Sequence, residues 1–317
     1  MKCNQFCMKF IFPSPWSGSL EPITHMSPGT SPNYCTRQHA PRLPMDFQYQ
    51  IHQVSLATDR EFKHHALVML TSKRPKNCLG DTIASLQRAG LSHWAGPKLL
   101  VSDGLQDSLP TDWTHIVYPR REGSSIAFIR ALRHALICDP LLEQLTFLED
   151  DIVMCKGTLD YIARIVIPKD IAFVSWFTYD YDYASPPTPR QHPHPAELPG
   201  AVLAVRPSRY FILIQAGTFM RATIERLLAC PHITETWPKR EGHDEMVAWA
   251  LGDSLYATHF PILVQHTGGL NSAVVLDRGL SEVPPGDPQA EERRSPYFKG
   301  IDFDAMTLVS KIGPHIS

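Results

Sequence analysis

From about residue 62 onward, short apolar runs alternate with segments of helical periodicity. This alternation is typical of β-α units, in which helices cover a mostly parallel sheet. The runs that predict strands cover residues 66–71, 98–102, 114–118, 144–148, 171–177, 202–205, 210–215 and 261–265. Helical spacing covers residues 79–89, 124–138, 158–167 and 218–230, a segment that begins near 243, and a short segment at 303–312. The pattern predicts an α/β domain with a mixed, mostly parallel sheet flanked by helices.

Proline-rich stretches flank and interrupt this pattern. Seven prolines fall within the first 45 residues, and we expect residues 1–60 to be a disordered leader. Residues 184–200 hold six prolines and predict a long surface loop of the kind that often forms a lid. Residues 277–317 are polar and rich in Pro and Gly, which predicts a C-terminal extension. The folded domain is therefore expected at residues 61–276.

The composition argues against several classes of protein but does not indicate a specific function. The chain has 30 Lys and Arg against 32 Asp and Glu, so it has no overall basic field that would attract nucleic acid. The seven cysteines are scattered without a CxxC pair, which favours reduced thiols over a zinc ribbon or a disulfide framework. No apolar run reaches the length of a membrane helix, and no signal sequence is evident. These features favour a soluble cytoplasmic protein.

Three consecutive acids, Glu149, Asp150 and Asp151, directly follow the strand predicted at 144–148. Ligands of open α/β sheets bind beyond the carboxyl ends of the strands. Adjacent carboxylates there repel one another unless a cation neutralises them, which favours a divalent metal site. The alternative is an ordinary acidic turn.

Two further polar elements lie later in the chain. Asp244 and Glu245 follow Gly242 at the start of a predicted helix, where one of them could act as a general base or both could simply favour the helix dipole. His266 comes just after the strand predicted at 261–265 and is a candidate metal ligand or a structural histidine.

The order of these elements resembles that of nucleotide-sugar glycosyltransferases of the GT-A fold, a Rossmann-like architecture. The segments Phe147-Leu-Glu-Asp-Asp-Ile152 and Val264-Gln-His-Thr-Gly268 are similar to those of the N-acetylglucosaminyltransferase IV type. The resemblance covers roughly residues 66–275. It implies a nucleotide-binding half at about 61–155, an acceptor half at about 156–276, and a hexosyltransferase activity that uses Mn²⁺ or Mg²⁺.

The resemblance also implies roles for individual residues. The acidic triplet would be the DxD motif, with Asp151 as the metal ligand and His266 completing the metal site. Glu149 and Asp150 would hydrogen-bond the ribose or the donor sugar. A metal at this point would assist departure of the nucleoside diphosphate as a Lewis acid.

The same resemblance makes Asp244 the catalytic base, which would take the proton of the acceptor hydroxyl during in-line attack. Such attack inverts the anomeric carbon, so an α-linked donor would give a β-linked product. Glu245 is the rival base, because the family pattern is usually Gly-Glu-Asp and His243 stands here where Glu is common.

Other positions match places where the family reads the donor base and ribose, or suit an acceptor site. The donor candidates are Thr71, Ser72, Arg74 and Asp103, all of which also suit plain turns. The acceptor candidates come from the aromatic segment 175–183, where Trp176, Tyr179 and Tyr181 could stack on sugar rings. For Trp176, a place in the core is the alternative.

Several functions remain open from the residues alone. By resemblance the donor is a nucleotide-sugar, with a UDP-sugar favoured, and the acceptor is a hydroxyl of a glycan, lipid or small molecule. A transferase acting on hydroxylated bases in DNA would need a local basic patch. A noncatalytic sugar- or nucleotide-binding relative would not need Asp244. A nucleotidyltransferase would need a Gly-rich loop after the first strand, and the segment 72–75 lacks the glycines.

Overall fold

A computed structural model describes residues 50–57, 64–73, 78–106, 109–178, 194–211, 214–236, 242–267 and 295–311. Arg74, Tyr179 and Tyr181 lie outside these residues, so their predicted roles stay predictions. Most of the predicted lid at 184–200 also lies outside them.

A nine-stranded mixed sheet runs through this part of the chain. The strands, in chain order, are β1 (Gln50–Gln53), β2 (Ser55–Leu56), β3 (His65–Ser72), β4 (Lys98–Asp103), β5 (Thr114–Tyr118), β6 (Gln144–Glu149), β7 (Ile152–Met154), β8 (Ile165–Val166), β9 (Ile171–Ser175), β10 (Val202–Pro207), β11 (Ala216–Met220), β12 (Leu255–Phe260) and β13 (Val264–His266). The main sheet has the order β1-β10-β12-β9-β11-β6-β3-β4-β5, and β7 pairs with β13 and β2 with β8 in two small sheets. Strands β6, β3, β4 and β5 are mutually parallel, so their carboxyl ends share one edge.

Helices cover both faces of the main sheet. They are α1 (Leu79–Arg88), α2 (Ser124–Cys138), α3 (Thr158–Ile162), α4 (Arg221–Ala229) and α5 (His243–Leu251). Alternate residues of β3 serve the two faces, since Leu67 and Met69 join the cluster that includes Leu86 of α1, whereas Val68 joins the cluster that includes Phe128 of α2. The predicted fold class, an α/β domain with a mixed sheet flanked by helices, is confirmed.

Several predicted boundaries are wrong in the second half of the chain. Of the strand predicted at 210–215, residues 212–213 lie outside the described residues; Tyr210 ends a short 3₁₀ helix, Ser208–Tyr210, and the next strand is β11 at Ala216–Met220. The helix predicted from 218 therefore begins at Arg221. The helix predicted at 158–167 ends at Ile162, and the strand predicted at 261–265 is the shorter β13, which is preceded by the unpredicted β12.

Both predicted flanking segments contribute to the fold. Within the predicted leader, β1 pairs with β10 and β2 pairs with β8, so residues 50–57 belong to the folded unit. Within the predicted extension, Ser295 exchanges two hydrogen bonds with the side-chain amide of Gln265 in β13, at 2.8 and 3.2 Å. The last described segment, Ala305–Lys311, is a 3₁₀ helix.

None of the helices in the described part of the chain is both long and apolar enough to cross a bilayer. Among the described residues, Cys138, Cys155 and Cys230 are free thiols. Burial raises the pKa of the Cys155 thiol to about 12, so this group is an unreactive part of the core.

Candidate metal and donor site

The acidic triplet lies at the carboxyl edge of the parallel strands, as predicted from the sequence, and its side chains separate into two directions. Glu149 and Asp151 lie with His266 in one group. Asp150 instead accepts a hydrogen bond of 2.5 Å from the hydroxyl of Thr71, at the end of neighbouring strand β3. Asp150 and Asp151 form the bend that joins β6 to β7, so the chain changes direction where the side chains separate.

Glu149, Asp151 and His266 form a candidate metal centre. Each offers one ligand atom, and these atoms all lie within 4.8 Å of one another. Nε2 of His266 is 3.3 Å from Oδ2 of Asp151, and each of these two side chains is only 3% exposed. Two oxygen ligands and one imidazole suit Mn²⁺ or a related divalent ion.

The electrostatics of this group favour a cation. Two carboxylates whose ligand atoms lie within 4.8 Å of each other repel by at least about 3 kcal/mol at an effective dielectric constant of ~20. A bound divalent ion would turn this repulsion into attraction to both groups. The residues present therefore fit a metal ion, and the predicted ligands Asp151 and His266 lie together with one more, Glu149, which was predicted to contact the donor.

Strand pairing brings His266 to Asp151 across more than a hundred residues of sequence. In the antiparallel pair of β7 and β13, His266 lies opposite Ile152. The next residue, Thr267, donates two hydrogen bonds to the carbonyl of Asp151, from its backbone N–H at 2.7 Å and from its hydroxyl at 2.9 Å. The backbone of Asp151 is thus held by the strand that carries the histidine.

Helix α1 supports the other side of the triplet. The hydroxyl of Thr82 lies 2.7 Å from the carbonyl of Asp150 and 2.9 Å from that of Ile152, and it accepts the N–H of Ile152 at 3.2 Å. One turn later, the hydroxyl of Ser85 accepts the N–H of Met154 at 2.7 Å. Sequence reasoning missed both residues, although polar side chains on the apolar face of a helix were a usable signal.

The predicted donor residues lie at the carboxyl ends of β3 and β4. Thr71 and Ser72 are buried at the end of β3, and Thr71 also accepts a 3.2 Å hydrogen bond from the amide of Gln106. The carboxylate oxygens of Asp103 accept the backbone N–H groups of Glu122 and Gly123 at 2.8 and 2.9 Å. Burial raises the pKa of Asp103, and this effect outweighs the two backbone hydrogen bonds, which would lower it. In this structure Asp103 therefore holds the loop before α2, the turn role that the sequence left open.

The start of α5 is brought to the triplet by His243. Nε2 of His243 lies 3.3 Å from Oε1 of Glu149. Asp244, which is half-buried, and Glu245, which is exposed, follow in the first turn. Gly242 has a φ of +91°, and a Cβ at this position would lie 3.2 Å from Oδ1 of Asp244. The glycine therefore permits both the turn and the close return of the acid.

His243 is enclosed by aromatic rings. Its ring stacks on Phe128 at 5.3 Å between centroids and meets the edge of Phe147 at 5.8 Å. Burial alone would lower the pKa of His243, but the carboxylates of Glu149 and Asp244 outweigh it, so that the pKa is raised. The imidazole is thus a polar group fixed within an apolar wall of the site.

Trp176 does not belong to an acceptor surface in this structure. Its side chain is fully buried, and its Nε1 donates a 2.8 Å hydrogen bond to the hydroxyl of Thr218 in β11. Its indole also lies 5.2 Å from the ring of His259. The prediction that it stacks on a sugar is wrong, and the alternative place in the core is correct, because the indole lies within a cluster of buried apolar side chains.

Comparison with known proteins gives distant structural matches. No family model and no curated protein matches the chain. Among solved structures, S. aureus TarS 1–349 matches with a TM-score of 0.40 and 11% identity, over 67% of this chain and 63% of that one. The mannosyltransferase PcManGT from Pyrobaculum calidifontis, in complex with GDP-Man and Mn²⁺, matches with a TM-score of 0.41 and 12% identity, over 72% of this chain and 68% of that one. These values are too low to assign the chain to a family.

Proposed function

We propose that this protein is a metal-dependent, inverting glycosyltransferase that moves a sugar from a nucleotide-sugar to an acceptor hydroxyl. The observation that carries the proposal is the buried group of Glu149, Asp151 and His266 at the carboxyl edge of the sheet. The start of α5, with its two acids, adjoins this group through His243. Metal ligands beside a candidate base are the two parts that such a transfer needs.

The three clustered side chains would hold the metal ion. A divalent cation at this point would neutralise the donor diphosphate as a Lewis acid, which makes it a better leaving group. Asp150 would face the donor from the other side of the chain, in the position that its hydrogen bond to Thr71 fixes. Thr71 and Ser72 lie at the neighbouring strand end, where the base or ribose of the donor would lie.

Asp244 would act as the general base. The acceptor hydroxyl oxygen forms a bond to the anomeric carbon, the bond from that carbon to the diphosphate oxygen breaks, and the hydroxyl proton passes to the Asp244 carboxylate. Attack from the face opposite the leaving group inverts the anomeric centre. The half-buried position of Asp244 beside His243 supports this assignment over the exposed Glu245.

Calorimetry tests the donor half of the proposal without an acceptor. UDP, UDP-sugars and GDP-mannose would be titrated with and without Mn²⁺ into the wild-type protein, Asp151→Ala and the control Asp253→Ala, which removes an acid that is 79% exposed. We expect Mn²⁺-dependent binding that only Asp151→Ala loses. Absence of binding by every nucleotide would refute the transferase.

Release of nucleoside diphosphate separates an enzyme from a binding protein. A transferase should hydrolyse its donor slowly, with water in place of the acceptor, and Asp244→Asn should stop this release while leaving donor affinity nearly unchanged. Tight donor binding with no release by the wild-type protein, under all metal conditions, would support a noncatalytic sugar- or nucleotide-binding relative.

A further inference from the structure

The first and third acids of the triplet each lie beside a different histidine. Glu149 lies 3.3 Å from Nε2 of His243, and Asp151 lies 3.3 Å from Nε2 of His266. Only His266 belongs to the candidate metal centre. The two histidines therefore have different roles. His243 contacts the Glu149 carboxylate, whereas His266 belongs to the group that could bind the metal.

The environment of His243 fixes its ring. The side chain is 7% exposed and is packed against Phe128 on one face and Phe147 at an edge. In this packed position, its Nε2 lies 3.3 Å from Oε1 of Glu149. The Glu149 side chain is 20% exposed, so without this contact it could turn toward water.

We infer that His243 is a positioning residue, which holds the Glu149 carboxylate toward Asp151 and His266. This inference rests on the proposed function, since it assigns a role within the proposed metal centre. A donor fixed by packing raises the fraction of time that a flexible glutamate spends in the ligating orientation. Residues that orient metal ligands in this way typically affect metal affinity by about 10- to 100-fold.

Substitutions at position 243 separate orientation from packing. In His243→Gln the amide nitrogen reaches about where Nε2 lies, so the donor is kept. His243→Leu fills similar space without a donor, and His243→Asn places its donor nearer the backbone, short of Glu149. We expect Mn²⁺ affinity within about threefold of wild type for the Gln variant and a loss of about 10- to 100-fold for the Leu and Asn variants.

The measurement is direct Mn²⁺ binding, followed by electron paramagnetic resonance of the free ion in the absence of nucleotide. Thermal unfolding without metal shows that each variant is folded. A double-mutant cycle adds Glu149→Ala, alone and with His243→Leu. If His243 acts through Glu149, the Leu substitution should cause no further loss of affinity once the glutamate is gone.

The outcomes distinguish this inference from the proposed function. If wild type binds Mn²⁺, His266→Ala abolishes binding, and the Leu variant binds as wild type does, the positioning role is wrong and the metal site stands. Equal losses for the Gln, Asn and Leu variants, or a full loss by Leu in the Glu149→Ala background, would also overturn it. If wild type binds no Mn²⁺, both the inference and the metal-dependent transferase fail.

Discussion

Removal of one hydroxyl of α1 should weaken both the fold and the metal site. Thr82→Val keeps the shape of the side chain but removes a group that accepts the N–H of Ile152 and can donate to the carbonyl of Asp150 or of Ile152. A buried N–H left without its partner costs about 1 to 3 kcal/mol, and the lost hydroxyl donation costs about 1 more. We expect the free energy of unfolding to fall by about 2 to 4 kcal/mol.

Urea denaturation of the metal-free protein measures this fall, with Thr223→Val as the matched control. The Thr223 hydroxyl in α4 donates one 2.7 Å hydrogen bond to the carbonyl of Ala172, so its removal should cost about 1 kcal/mol. Mn²⁺ binding by the same proteins tests the second effect, because Thr82, unlike Thr223, supports the backbone of the triplet. Equal destabilisation by the two variants, with unchanged Mn²⁺ affinity, would refute the reasoning.

Three further perturbations test other parts of the molecule. Burial lowers the pKa of His259 to about 4 from an ordinary value of 6.5, so unfolding takes up a proton between these pH values. The free energy of unfolding, measured by urea denaturation, should therefore fall by about 3 kcal/mol from pH 6.5 to pH 4. An equally steep fall in a His259→Gln variant would exclude this cause. Donor hydrolysis should be lost in Asp244→Asn and kept in Glu245→Gln, and the reverse result would move the base by one residue. Gly242→Ala should lower stability by about 1 to 3 kcal/mol and also slow hydrolysis, whereas Gly200→Ala, with a φ of +79° but open space around it, should show the strain alone.

The location of the candidate site could be predicted from the sequence because its signal is local. An apolar strand followed by Glu149, Asp150 and Asp151 is visible in eight consecutive residues, and the carboxyl ends of parallel strands meet at one edge. The inclusion of Glu149 in the metal group was not predicted. It depends on the bend at Asp150 and Asp151, which leaves Glu149 and Asp151 together beside His266, and a short motif does not contain this geometry.

Strands β11 and β12 were not predicted from the sequence for the same physical reason. Each contains a buried polar side chain whose hydrogen-bond partners are distant in sequence. Strand β12 contains His259, whose ring is buried between the hydroxyl of Tyr161 at 2.9 Å and the carbonyl of Pro261 at 2.8 Å. Strand β11 contains the buried Thr218, whose hydroxyl is hydrogen-bonded to Trp176 and Thr146. Such residues look exposed in a hydropathy pattern, because their partners are supplied only by the fold.

The side chains that hold the triplet are largely uncharged, and this bears on how the site would respond to metal. The backbone from Asp150 to Ile152 is fixed by the hydroxyls of Thr82 and Thr267 and by the pairing of β7 with β13. These contacts do not depend on a cation, so the metal-free site should keep its shape. A bound ion would then add stability only by mass action, about 2.7 kcal/mol at a hundred times its dissociation constant. Because the backbone of the site is already ordered without the ion, metal binding does not have to supply the free energy of ordering the chain. The attraction of the ion to the two carboxylates then mainly offsets their mutual repulsion.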